Sequence, residues 1–246
     1  MRAPRPLRIA AAAAALAAGA GVTGCDSPTV PQRVLAYQFT WEGSGERIIY
    51  RWPDGHTIRV YVVPSEDPDR SRELNAAVRH AVSVWNDAVL YGEYRIELAS
   101  LERADVIVAW QNEPLPVDTD ACPPFPGGFA WTTFCADTAD GTRMIGYPLT
   151  EGEHREDGVH MIVQVIDDPI AEDHIPALVA HEFGHVLGIG THPCRMGEPP
   201  CTGEHGRRHG AHSSLMYAGL PERSTPSQAD RETVEVLYHT TPHLVP

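Results

Sequence analysis

Apolar and polar positions divide the chain into segments with two different periods. In HTIRVYVV (His56–Val63), Ile58, Val60 and Val62 alternate with polar or exposed positions, the period of two that marks a strand. Pro64 to Pro68 break it. From Arg72 to Leu90, Leu74, Ala77, Val78, Ala81, Val82, Trp85 and Val89 recur at the spacing of one helical face. YRIEL (Tyr94–Leu98) and ADVIVAW (Ala104–Trp110) read as strands, the second apolar nearly throughout, as an interior strand would be. GFAWTTFC (Gly128–Cys135) and RMIGYPL (Arg143–Leu149) flank the turn signal Asp140-Gly141, and VHMIVQVI (Val159–Ile166) is another strand.

A helix follows over Ala177–Val186 with Pro176 in its first turn, then a loop rich in Pro, Gly, Cys and His to about Ser213. Thr225-Pro226-Ser227-Gln228 fits an N-cap, a Pro at the first helical position and a Gln at the third, so the last helix is expected to start there. The order of strand, helix, strands, helix, long loop and helix implies a mixed α+β fold with one main sheet.

Composition narrows the function. The chain has 246 residues, 42% of them hydrophobic, and a formal charge of −14. All its basic residues are Arg, and they are scattered. Nucleic-acid binding is therefore not expected, because phosphate contacts need clustered positive charge.

Residues 1–24 read as a secretory signal: Arg2, Arg5 and Arg8, then a short apolar run of small residues. It closes on VTGC, which resembles the bacterial lipobox and makes Cys25 the expected lipidation site. The protein would then be extracytoplasmic, anchored by lipid to a bacterial membrane. Residues 25–46 read as a tether, with one short strand near Leu35–Phe39, and residues 47–246 as one folded domain. Setting Cys25 aside leaves Cys122, Cys135, Cys194 and Cys201, an even number suited to an oxidising compartment. Of the three pairings, the local one, Cys122–Cys135 and Cys194–Cys201, is preferred. Ligation of a metal by these cysteines is the weaker alternative, since neither pair has C-x-x-C spacing.

The chemistry concentrates in HEFGHVLGIGTHP, His181–Pro193. His181 and His185 stand four apart on the predicted helix, close enough to share one ion, and neutral imidazole suits zinc. Glu182 points to a neighbouring side, where it could take a proton from a water without being a ligand. Gly188 can adopt positive φ and stop the helix, so that His192 swings back as a third ligand. Three protein ligands with one open position are the arrangement of catalytic zinc. The alternative is a helix that carries two His by chance in a chain with 13 of them.

HEFGHVLGIGTH resembles the HExxHxxGxxH signature of the metzincin metallopeptidases, and SSLMYAG (Ser213–Gly219) resembles their Met-turn. The early amphipathic helix, the ADVIVAW strand, the SxMY turn and a closing helix ending in LYH are most similar to the matrixin branch. The resemblance covers about residues 50–246 in element order and is residue-specific only at the helix motif and the Met-turn. It implies a zincin-like twisted sheet with an active-site helix, Met-turn and C-terminal helix. It also implies zinc on His181, His185 and His192, Glu182 as general base, and Met216 as an apolar floor beneath the metal. The activity implied is zinc-dependent hydrolysis of peptide bonds in a protein or peptide substrate bound along an edge strand, near Gly128–Phe134 or Met144–Tyr147. A different class of function is a non-catalytic surface lipoprotein that keeps the fold for protein binding.

The departures are specific. The strict signature puts the third ligand at Thr191, one residue before His192, and the loop to Met216 is longer than in typical matrixins. That loop carries His205, His209 and His212, any of which could replace His192 as leishmanolysin-like enzymes do after an insertion. No matrixin-type cysteine plug or second structural zinc motif is visible. Asp118, Asp120, Asp137 and Asp140 could bind calcium, although solvated turns explain them as well.

Overall fold

The computed structural model describes residues 52, 55–117, 129–134, 159–168, 172–189, 214–217 and 220–239. The segment carrying Cys25, the other four cysteines, His192, His205, His209, His212, the acidic loop residues, the strands expected at Leu35–Phe39 and Arg143–Leu149, and Met144–Tyr147 lie outside the described residues.

Among the described residues, five strands form one mixed sheet. They are β1 (His56–Val62), β2 (Tyr94–Leu98), β3 (Val106–Trp110), β4 (Ala130–Phe134) and β5 (Met161–Val165), in the order β2-β1-β3-β5-β4. The first four in that order are parallel neighbours, and β4 runs antiparallel to β5 at the end of the sheet. The α-helices among the described residues are α1 (Pro68–Asn86), α2 (Ile175–Val186) and α3 (Gln228–His239). The result is mixed α+β.

Interior position explains the apolar runs. Every residue of β3 and β5 is buried. In β3, Val106, Val108 and Trp110 face the main core, while Ile107 and Ala109 join a smaller cluster with Val63 and Ile162 on the other face. A strand covered on both sides has no polar face to alternate with. The main core also takes Leu74, Val78 and Trp85 of α1, Phe183 and Val186 of α2, and Val234 and Leu237 of α3, so the helices contribute to one side of the sheet.

Two helix starts differ from expectation. Pro68 does not end a strand connection but opens α1. Asp67 caps the helix by accepting from Asp69 N at 2.8 Å, and Pro68 occupies the first turn, where its missing N–H costs nothing. For α3 the cap lies two residues beyond Thr225. Ser227 Oγ accepts from Asp230 N at 3.2 Å, and Asp230 Oδ2 accepts from Ser227 N at 2.7 Å, a reciprocal capping box.

Candidate metal centre

The site is built on α2, which is buried on most of its surface. His181 and Glu182 are buried and His185 is half-buried. His181, Glu182 and His185 each offer a ligand atom, all within 4.8 Å of one another.

The end of α2 is made by Gly188, at φ 103°. Its N–H donates to His185 O at 2.9 Å, and Ile189 N donates to Gly184 O at 3.0 Å, the paired bonds of a Schellman turn. That turn brings the Ile189 carbonyl to His185, whose Nδ1 lies 2.5 Å from it. His181 Nδ1 lies 2.7 Å from the Leu215 carbonyl. Carbonyl oxygens only accept, so both Nδ1 atoms carry a proton, and in the neutral form each ring has its lone pair on Nε2.

Those two Nε2 atoms are 3.2 Å apart. Two lone pairs do not attract, so the approach needs positive charge between them, either a proton shared by the rings or a metal cation. Zn–N bonds of about 2.0–2.1 Å at tetrahedral angles separate neighbouring ligand atoms by about 3.3 Å. The donor set and its spacing therefore fit a zinc ion.

Glu182 sits beside the pair. Ala130 and Thr132 of β4 lie opposite Val165 and Val163 of β5, which face the main core, so the register turns Thr132 toward α2. Its hydroxyl donates to Glu182 Oε2 at 2.7 Å and lies 3.2 Å from the Glu182 carbonyl oxygen. Burial raises the Glu182 carboxyl from its ordinary value near 4.5 to about 7, against the Thr132 hydrogen bond, which lowers it. A cation held by the neighbouring imidazoles would favour the ionised form again.

Met216 is fully buried in the turn that carries Leu215. Its side chain lies against α2 at Gly184, where an added Cβ would come 2.2 Å from Met216 Sδ and 3.0 Å from Trp85 Cζ2. Trp85 is fixed in turn by Nε1 donating to Ala180 O at 2.7 Å. Gly184 is thus a close-approach position between the two His. No expectation from the sequence covers the roles of Thr132, Gly184 and Asp230, and Ser214 enters there only as the Ser of the SxMY turn. Gly184 carries a signal of its own, being an isolated glycine inside a helical pattern.

No family model and no curated protein matches this chain. Among solved structures it is similar to a crystal structure of myroilysin at 14% identity and a TM-score of 0.39, covering 78% of this chain and 86% of that one. A second myroilysin structure gives 14% identity and a TM-score of 0.34, covering 78% of this chain and 62% of the other. These likenesses are too distant to carry an assignment, which rests on the site itself.

Proposed function

We propose that this chain is a zinc-dependent endopeptidase of the metzincin type, most similar in its motifs to matrixins. The carrying observation is the pair of Nε2 atoms 3.2 Å apart, each ring fixed by a carbonyl, beside the buried carboxylate of Glu182. His181 and His185 would hold the metal with His192 as third ligand; His205, His209 or His212 is the alternative for that third position. When bound, zinc would polarise a carbonyl oxygen and acidify a water molecule.

The chain's own residues supply the rest. Glu182 takes a proton from the attacking water and returns it to the leaving amine. Thr132 holds Oε2, which fixes the carboxylate plane for that transfer. β4 ends the sheet order among the described residues, and an extended peptide would add to its outer edge by main-chain hydrogen bonds. Export with a lipid on Cys25, and local disulfides, belong to the same reading on the strength of the sequence; calcium does not.

The test is cleavage of a denatured protein by the purified chain, zinc-loaded and chelated. Glu182→Gln should lower turnover by about 10²–10⁴-fold while zinc still binds. Full activity in that variant would sink the mechanism. An inert zinc-loaded wild type would favour the non-catalytic binding protein.

A further inference from the structure

The peptide between Leu215 and Met216 is hydrogen-bonded at both ends. Its carbonyl oxygen accepts from His181 Nδ1 at 2.7 Å. Its amide, Met216 N, donates to Ser214 Oγ at 3.0 Å. The Ser214 hydroxyl donates in turn to Asp230 Oδ1 at 2.6 Å. Every hydrogen in this series points the same way, from His181 through one peptide and one hydroxyl to a carboxylate.

Helix capping explains only part of what Asp230 does. Its Oδ2 accepts from Ser227 N at 2.7 Å, which closes the capping box of α3. The same oxygen also accepts from Leu215 N at 2.9 Å, and Oδ1 is given to Ser214. A cap alone needs neither of these bonds. Asp230 is 0% exposed and Ser214 2%, so the series runs where water screens little. In such surroundings hydrogen bonds in series polarise one another.

We infer that Ser214 and Asp230 are positioning residues for His181, a carboxylate–hydroxyl–peptide relay that fixes the ring with Nε2 toward the site and raises its basicity as a ligand. The inference rests on the reading that His181 holds a metal. The negative charge strengthens Ser214 Oγ as an acceptor. Ser214 then draws on the Met216 amide, and the Leu215 carbonyl becomes a stronger acceptor for Nδ1–H. A carboxylate in direct contact with a metal-ligating histidine has the same effect; here it arrives through a peptide and a hydroxyl from another helix.

The experiment measures zinc affinity of the full chain by competition with a chromophoric chelator, together with the His181 Nδ1 proton resonance and the melting temperature of the zinc-free protein. Ser214→Ala should weaken zinc binding about tenfold, and Asp230→Asn by about 10–100-fold. In both, the Nδ1 proton should move upfield. Ser214→Ala leaves both Oδ2 bonds in place and carries the test if Asp230→Asn does not fold. Lower melting temperatures with wild-type affinity and an unmoved resonance would overturn the relay, leaving a purely structural role. A wild type that binds no zinc, or His181→Ala that binds it as the wild type does, would overturn the metal reading and the relay with it.

Discussion

Glu182 shows how much of the site one residue's surroundings decide. Its spacing between two histidines was legible because the helical period alone puts positions four apart on one face. Its partner Thr132 was not, since the pairing crosses 50 residues and depends on the antiparallel register of β4 against β5. Gly184 lies between these cases. An interior glycine is about 1 kcal/mol worse than Ala in a helix, so Gly184→Ala would stabilise the protein if propensity decided. Packing opposes it: the new methyl would meet Met216 Sδ at 2.2 Å, and both Met216 and Trp85 are fully buried. Overpacking of this kind costs about 1–3 kcal/mol. The expected net outcome is a loss of about 1 kcal/mol, together with a displaced Met216. Urea denaturation measures it, and a more stable Gly184→Ala protein would show that Met216 is not held against the helix.

Whole elements were read best where burial leaves one answer. ADVIVAW and VHMIVQVI became β3 and β5 because a two-sided core selects a continuous apolar run. Helix starts were read less well, because several offsets satisfy the same capping rule. Thr225 with Gln228 and Ser227 with Asp230 both fit a capping box; the second prevails because Asp230 also binds Ser214 and Leu215. The end of α2 depends on partners as distant. Trp52 Nε1 donates to Val186 O at 2.7 Å, and the Tyr238 hydroxyl donates to Leu187 O at 3.2 Å. These two carbonyls close the helix just before the turn that orients His185. Trp52→Phe keeps most of the ring and removes the donor, so it should destabilise the chain by about 1–3 kcal/mol, the penalty for weakening a buried hydrogen bond. Chemical denaturation with an unchanged m-value checks this; wild-type stability in the variant would mean that the Trp52 bond does not hold the helix end.

At the scale of the molecule, the question is whether the metal holds the fold or the fold holds the metal. The core contains Trp52, Trp85, Trp110 and Phe183, each almost fully buried, and helices packed on a five-stranded sheet. A core of that kind does not need an ion to form, unlike the small domains that fold only around zinc. The metal should therefore act as a ligand of the native state. Free zinc at 100 times its dissociation constant adds about 2.7 kcal/mol. For a domain of this size each kcal/mol moves the melting temperature by about 2–4 °C, so chelation should lower it by about 5–10 °C. Weak binding of zinc by histidines of the unfolded chain would reduce the shift without reversing it. Calorimetry with and without chelator measures the change, and far-UV circular dichroism should show the helices intact in the chelated protein at 25 °C. Collapse on chelation would make the zinc structural, and no shift at saturating zinc would mean that His181 and His185 hold no metal.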